Sequence, residues 1–227
     1  MIEQDIQNFY SKIKFPGTYT TVDFDYYDVH QNRFLKPYVD ASKRATSILE
    51  IGCGTGYITN LLAYRNKHVH IDAIDFSDSI DVAKQFSDKH KLKNITYHKT
   101  DFLKFYHQKQ YDLIISNGVL HHIPNLDEAL SIINSLSADE MVLGIYNKFG
   151  KLAKRFIKVN YTNDLLRADQ EESPYEVSFT DYTFRNYFPN YVVNSVTPGT
   201  NWVNIRNIFN YKNGGLTVYH FCKNIFG

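Results

Sequence analysis

The chain has little of what would indicate a secreted, membrane or metal-binding protein. It contains only two cysteines, Cys53 and Cys222, which lie far apart without a CxxC or Cys/His ligand spacing. Neither a disulfide framework nor a metal site is therefore predicted. No apolar run is long enough to cross a bilayer, and the start has no basic, apolar leader pattern, so we expect a cytoplasmic protein without a membrane span.

The chain also lacks an excess of charge of either sign. The 227 residues include 25 basic and 24 acidic ones, which leaves a formal net charge of +1 beside 43% hydrophobic residues. This balance is typical of ordinary globular proteins, and bulk charge does not support a nucleic-acid partner. The length suits one domain with a sizeable core plus an extension, and it leaves the oligomeric state unknown.

The chain does have a short apolar run that is followed by three glycines at every second position. Residues 48–51 predict a buried strand, which is followed by Gly52, Gly54 and Gly56. Glycine allows the chain to turn at positive φ or to lie against a ligand without a Cβ in the way. A helix is expected to follow over residues 57–64.

The spacing of these glycines distinguishes between ligands. The dinucleotide fingerprint needs its third glycine where Tyr57 stands, and no Gly-Lys-Ser/Thr sequence follows the loop. A pyrophosphate cradle and a triphosphate loop are therefore both disfavoured. An adenosine ligand without phosphates remains, and the alternative is a tight strand-to-helix turn with no ligand.

The segment Glu50-Ile-Gly-Cys-Gly-Thr-Gly56 resembles the first motif of the class I S-adenosylmethionine-dependent methyltransferases, which reads apolar-apolar-acidic-x-Gly-x-Gly-x-Gly. The resemblance implies that the cofactor is S-adenosyl-L-methionine. It also implies a set of cofactor-binding residues in the loop: Glu50, Gly52, Cys53, Gly54 and Gly56.

A second predicted strand, residues 68–75, ends at Asp75, about 20 residues beyond the loop. At that distance an adjacent parallel strand brings a carboxylate to a ribose, and its two oxygens can accept hydrogen bonds from both hydroxyls. Asp72 competes for this role, but it does not stand at the strand end. Phe76 is a candidate to pack on the adenine, with core packing as the alternative.

A third predicted strand, residues 94–100, leads into Asp101 and Phe102. The resemblance implies that Asp101 accepts a hydrogen bond from the adenine amino group while the next backbone N–H, that of Phe102, donates to the ring. The alternative for Asp101 is a helix N-cap.

The fourth predicted strand, residues 111–117, continues into Gly118-Val-Leu-His-His122, which resembles the family's fourth-strand motif. The resemblance implies that Asn117 and Gly118 reach the methionine end of the cofactor, and that the two histidines reach the acceptor. His121 is the first candidate for a general base, followed by His122. Adjacent histidines cannot both point inward on a regular element, so one of them is a candidate to brace the turn.

The segment before the glycine motif is rich in aromatic residues. In the resembled family such a segment often folds over the cofactor, so Tyr27 and Arg33 are candidates for its methionine end. Tyr26 is a candidate for binding the acceptor. We therefore expect residues 1–40 to form an N-terminal cap segment and residues 41–227 to form the methyltransferase domain.

The fifth predicted strand, residues 140–146, ends at Tyr146 and Asn147, which are candidates to orient the acceptor, with Tyr146 counted among the catalytic residues. Five successive strand–helix pairs predict a doubly wound α/β sheet. Two later strands bring it to seven strands, mostly parallel, with an antiparallel closing strand. Residues 148–178 form a lid-like insertion in this interpretation, and residues 148–158 read as a basic amphipathic helix.

The expected activity is methyl transfer to a small-molecule acceptor at oxygen, on a sugar or a secondary metabolite. The alternatives are an RNA or protein methyltransferase that docks through the basic helix, and a module that binds the cofactor without chemistry. No Asn/Asp-Pro-Pro-Tyr/Phe sequence follows the fourth strand, which argues against amino methylation of DNA bases.

Overall fold

The structure is a computed structural model that describes residues 2–14, 17, 19–20, 24, 34–105, 109–146, 177, 179, 181–198 and 216–224. Four predicted site residues lie outside the described residues: Tyr26, Tyr27, Arg33 and Asn147. The predicted basic helix and all of the lid-like insertion except Val177 also lie outside them.

Seven strands and six α-helices make up the described part of the chain. The strands are β1 (Ser47–Ile51), β2 (His70–Asp75), β3 (Ile95–Lys99), β4 (Leu113–Asn117), β5 (Glu140–Tyr146), β6 (Tyr191–Pro198) and β7 (Leu216–Lys223). The helices are α1 (Ile2–Lys12), α2 (Lys36–Ser42), α3 (Tyr57–Arg65), α4 (Ser79–Lys89), α5 (Leu126–Ser135) and α6 (Asp181–Arg185), with 3-10 turns at Phe102–Lys104 and Leu120–His122. Within these ranges no helix has the length and apolarity needed to span a bilayer.

The seven strands form one sheet in the order β3-β2-β1-β4-β5-β7-β6. Strands β1 to β5 run parallel, and β7 is antiparallel to both of its neighbours. The predicted doubly wound, mostly parallel sheet with an antiparallel closing strand is confirmed. The chain reverses its winding between β1 and β4, so the carboxyl ends of these two strands flank the crevice where such sheets bind ligands.

The central strands are buried because helices cover both faces of the sheet. Successive side chains of β1 point to opposite faces, so Ile48 joins the core under α2, α3 and α4, whereas Leu49 and Ile51 join the core under α5. The second core continues into an aromatic cluster around Phe184 and Phe221. Burial on both faces explains why residues 48–51 of β1 are apolar except for Glu50.

Helix α1 lies against the carboxyl edge of the sheet. Its Gln7 Nε2 donates to the Phe76 carbonyl at 3.0 Å, and the Ser79 hydroxyl donates to the Tyr10 carbonyl at 3.2 Å. The Tyr10 ring lies 5.5 Å from the ring of His122. These contacts connect the ends of β2 and β4 through α1.

Helix α2 spans the expected boundary at residue 40. It buries Tyr38 and Val39 in the core beside the sheet. The predicted cap segment, residues 1–40, thus includes the first five residues of this helix, and the boundary stays a prediction.

Candidate functional site

The glycine loop between β1 and α3 is held against the end of β2. The N–H groups of Gly52 and Cys53 both donate to the Ile74 carbonyl, at 2.8 and 3.0 Å. Gly52 and Gly56 have φ of +74° and +81°, and a Cβ on Gly52 would lie 2.3 Å from the Val119 side chain. The loop therefore requires glycine for its conformation and for its close packing.

Asp75 lies at the end of β2, directly against this loop. Its Oδ2 accepts from the Gly54 N–H at 2.7 Å, and its Oδ1 accepts from the N–H and the hydroxyl of Ser77 at 2.9 and 2.6 Å. Burial raises the pKa of the carboxyl group, against the opposing effect of these hydrogen bonds. Each carboxylate oxygen can accept two hydrogen bonds, so Oδ2 keeps capacity for one further donor.

Asp72, the competing carboxylate, accepts hydrogen bonds from other side chains of the protein. It accepts from His98 Nε2 at 2.8 Å, Lys109 Nζ at 3.0 Å and the Tyr111 hydroxyl at 3.2 Å. Burial raises its pKa, but the hydrogen bonds from His98 and Lys109 outweigh burial and hold the pKa below its usual value. This set of partners indicates a structural role and favours Asp75 as the ligand-facing carboxylate.

Glu50 lies in β1 beneath the loop, with only 3% of its surface exposed. It accepts a hydrogen bond from the Thr59 hydroxyl. Desolvation raises the pKa of Glu50 to about 7, opposed by the Thr59 hydrogen bond and assisted by the charge of Asp75. A cation bound nearby would favour the ionised form of this carboxyl group.

The remaining predicted residues around the loop are less accessible. Cys53 is buried, and desolvation raises the pKa of its thiol, which is typical of an inert packing cysteine. Phe76 is half-buried, whereas Phe102 packs in the core under α5. Asp101 caps the 3-10 turn by accepting from the Leu103 N–H at 3.0 Å, which is the alternative considered for it.

Asn117 and Gly118 follow β4 on the other side of the crevice. Asn117 Oδ1 accepts from the Tyr38 hydroxyl at 3.0 Å, and Gly118 has a φ of +76°. Among the described residues, a Cβ on Gly118 would meet no atom within 4 Å, so nothing in this part of the chain packs against it. Gly144 on β5 allows the arrangement, since a Cβ there would lie 2.5 Å from Asn117 Oδ1.

The predicted catalytic residues form one aromatic cluster. The ring of His121 lies 4.2 Å from that of His122 and 4.1 Å from that of Tyr146. The Tyr146 N–H donates to His121 Nδ1 at 3.4 Å, and the Val177 N–H donates to the His121 carbonyl at 2.9 Å. The 3-10 turn buries both histidines, His121 completely and His122 to 8% exposure.

The two histidines therefore differ in accessibility. His121 braces Tyr146 and has no exposed surface, whereas His122 contacts Tyr10 on α1 and keeps a small exposed area. This geometry favours His122 over His121 as the residue that reaches an acceptor.

Sequence reasoning missed a polar network that supports the loop. The Tyr19 hydroxyl donates to the Thr55 carbonyl at 2.7 Å and accepts from Asn60 Nδ2 at 2.8 Å. The Tyr97 hydroxyl donates to Asn60 Oδ1 at 3.0 Å. The only signal in the sequence was the aromatic content of the segment that contains Tyr19.

A family model described as a methyltransferase domain matches residues 42–197, which include the glycine loop, Asp75 and both histidines. The chain belongs to this methyltransferase family. The predicted membership of the S-adenosylmethionine-dependent methyltransferases is confirmed, and the fold described above agrees with it.

The methyltransferase also resembles individual proteins. It is 36% identical over 104 residues to the malonyl-[acyl-carrier protein] O-methyltransferase of Bacillus cereus, over 45% of this chain and 37% of that protein. It is 28% identical over 160 residues to the protein of the same name from Acetivibrio thermocellus, over 67% of this chain and 55% of that protein. The match thus spans less than two thirds of the length of these relatives.

Among solved structures, the methyltransferase is similar to the N-methyltransferase NodS from Bradyrhizobium japonicum WM9 in complex with S-adenosyl-L-homocysteine. The TM-score is 0.64, with 15% sequence identity over 96% of this chain and 98% of the other. This likeness concerns the fold.

Proposed function

We propose that the methyltransferase binds S-adenosylmethionine in the crevice between β1 and β4 and transfers its methyl group to an oxygen atom of a small-molecule acceptor. The observation that carries the proposal is the placement of two groups of residues at one edge of the sheet. The glycine loop and Asp75 lie at the ends of β1 and β2. His121 and His122 follow β4, and Tyr146 is the last residue of β5.

The residues present fit this cofactor. S-adenosylmethionine has a ribose, an ammonium group and a sulfonium but no phosphate. Two buried carboxyl groups lie beside the loop, Glu50 on β1 and Asp75 at the end of β2. Asp75 retains acceptor capacity for a ribose hydroxyl, and no described residue would obstruct a Cβ at Gly118 on the other side. An anionic phosphate would meet unfavourable charge at the same place.

The main contribution of the protein to such a transfer is positioning. When bound, the cofactor supplies an electrophilic methyl group on a sulfonium. Holding an acceptor oxygen against that group in near-attack geometry can account for roughly 7–11 kcal/mol of the barrier. Tyr10, His122 and Tyr146 are the residues we assign to this acceptor side.

A carboxylate carried by an acyl carrier protein is the second candidate acceptor. The observation that favours it is the similarity to proteins named malonyl-[acyl-carrier protein] O-methyltransferase. The two acceptors make different demands, because a hydroxyl usually needs a base whereas a carboxylate is already ionised at neutral pH.

Cofactor binding is tested by calorimetric titration with S-adenosylhomocysteine. We expect Asp75→Ala to weaken binding at least tenfold, because the ribose loses its acceptor and Gly54 loses the partner of its N–H. The exposed Asp88 on α4 provides a matched control, and Asp88→Ala should leave the affinity unchanged. Wild-type affinity in a folded Asp75→Ala variant would contradict the assignment.

The acceptor is tested with a panel of hydroxyl compounds and malonyl thioesters, with turnover followed as S-adenosylhomocysteine release. With a hydroxyl acceptor, we expect His122→Ala to lower kcat by about 10²–10⁴-fold. With a carboxylate acceptor, the same variant should lower kcat only a few-fold. Unchanged turnover on every accepted hydroxyl would remove His122 from the role of base, and no turnover on any compound would favour a module that only binds the cofactor.

A further inference from the structure

Three metal-ligating side chains meet at the far edge of the sheet from the cofactor crevice. They are Glu140, the first residue of β5, and His220 and Cys222, which lie two residues apart on β7. In the β5–β7 pairing, Glu140 stands opposite Cys222, so all three side chains share one face of the sheet. Six residue steps along β5, about 20 Å, separate Glu140 from Tyr146 at the crevice.

We propose that Glu140, His220 and Cys222 form a Zn²⁺ site that fastens β7 to β5. An imidazole nitrogen, a thiolate and a carboxylate oxygen are the ligand types that zinc prefers, and three protein ligands leave one tetrahedral position for water. The candidate ligand atoms all lie within 4.8 Å of one another.

The distances are close to those of a tetrahedral site. Cys222 Sγ lies 3.8 Å from His220 Nε2, and Glu140 Oε2 lies 2.6 Å from the same nitrogen. Zinc bonds of about 2.1 Å to nitrogen and oxygen and about 2.3 Å to sulfur place N and S about 3.6 Å apart and N and O about 3.4 Å apart. To admit the ion, Glu140 Oε2 would have to move about 0.8 Å further from His220 Nε2 and to within about 3.6 Å of Cys222 Sγ, from which it now lies at most 4.8 Å.

The Asn194 side chain lies beside the second ring nitrogen of His220, where a zinc-bound histidine usually has a hydrogen-bond partner. Asn194 Nδ2 lies 3.1 Å from His220 Nδ1, at an irregularity in the β6–β7 register between Val193 and Ser195. Such bulges re-aim side chains, and a histidine bound through Nε2 usually donates its other N–H to an oxygen. Rotation of the Asn194 amide would present Oδ1 to Nδ1–H.

Arg44 competes with the zinc ion for the Glu140 carboxylate. Its guanidinium donates to Glu140 Oε1 at 2.8 Å and to Oε2 at 2.6 Å. The Arg44 side chain is 55% exposed, so releasing one of these two contacts to water costs little. The hydrogen bond to Oε1 can remain and orient the carboxylate while Oε2 binds the metal.

The test uses the full chain, freed of any affinity tag and treated with a chelator, and titrates it with Co²⁺ and then Zn²⁺. We expect one equivalent of Co²⁺ to produce a thiolate-to-cobalt charge-transfer absorption, and Zn²⁺ to displace it with a sub-micromolar Kd. Cys222→Ser should abolish the absorption, and the matched variant of the other cysteine, Cys53→Ser, should retain it. Asn194→Ala should weaken Zn²⁺ binding about 10–100-fold.

Folding of every variant is checked by its thermal transition and by S-adenosylhomocysteine binding, which should stay within a few-fold of wild type for Cys222→Ser. If Cys222→Ser does not fold, His220→Gln takes its place, and at least a tenfold loss of Zn²⁺ affinity is expected. Absence of the charge-transfer absorption in wild type would overturn the proposal. So would Zn²⁺ binding that survives both Cys222→Ser and His220→Gln.

Discussion

Gly56 illustrates how much of the site depends on single backbone positions. It is the N-cap of α3 with a φ of +81°, in the left-handed region that side chains rarely adopt. A Cβ at this position would lie 2.5 Å from the Ala83 Cβ and 2.9 Å from Asn60 Nδ2. The residue therefore combines a conformational requirement with a steric one, and α3 can approach α4 closely only because Gly56 has no side chain.

Substitution at Gly56 separates these two requirements. We expect Gly56→Ala to lower the free energy of unfolding by about 2–4 kcal/mol, as the sum of left-handed strain and overpacking. Gly17 has a φ of +96°, and no described residue lies within 4 Å of its Cβ position, so Gly17→Ala should cost only the strain, about 1–2 kcal/mol. Chemical denaturation of both variants measures the difference, and equal losses would contradict the steric part.

Elements far apart in the chain support the glycine loop from below. Tyr19 lies before α2, Asn60 lies on α3 and Tyr97 lies on β3, yet their polar groups form one chain of hydrogen bonds that ends at the Thr55 carbonyl. The Tyr19 ring also packs on Phe86 of α4 at 4.5 Å. Tyr19 therefore helps to hold the loop in place.

Removal of one hydroxyl tests this support. Tyr19→Phe keeps the ring but leaves the Thr55 carbonyl and the Asn60 amide without their Tyr19 contact, so we expect a loss of about 1–3 kcal/mol in unfolding free energy. S-adenosylhomocysteine affinity should fall as well, because Thr55 belongs to the loop. Tyr182 is 76% exposed, and Tyr182→Phe should change stability by less than about 0.5 kcal/mol. A Tyr19→Phe variant with unchanged stability and affinity would exclude the supporting role.

At the scale of the whole molecule, the buried carboxyl of Glu50 connects stability to pH. Its pKa is raised by burial from 4.5 to about 7, so between these values the folded state binds more protons than the unfolded state. The free energy of unfolding therefore falls as pH rises through this window. A shift of this size corresponds to about 3 kcal/mol, which is lost in full above pH 7.

The variant Glu50→Gln should remove this dependence. We expect the difference in unfolding free energy between Glu50→Gln and wild type to shift in favour of the variant by up to about 3 kcal/mol from pH 4.5 to pH 8. Denaturation at several pH values measures it, with the exposed Glu128→Gln as a control that follows wild type. A difference that does not change with pH would mean that Glu50 ionises normally in the folded protein.

The same carboxyl links pH to the cofactor. A sulfonium or ammonium group near Glu50 stabilises its ionised form, so cofactor binding should release protons near pH 7. Calorimetry in buffers of different ionisation enthalpy would detect the release in wild type and its loss in Glu50→Gln.

The sequence by itself determined the order of the strands, the fold and the position of the glycine loop. These features depend on local patterns, such as the apolar run ending in Gly52 and the strand ending at Asp75, and local patterns act through backbone conformation and burial. The element ends agreed to within about two residues, with β2 predicted from residue 68 and found from His70.

Only the tertiary structure decided which side chains meet. It buried His121 more deeply than His122, and it joined Glu140 to His220, 80 residues away. It also placed Asp72 in hydrogen bonds with Lys109 and Tyr111. Such pairs depend on how strands from distant parts of the chain align in the sheet. No periodicity in the sequence records that alignment, since each strand shows only which of its own faces is buried.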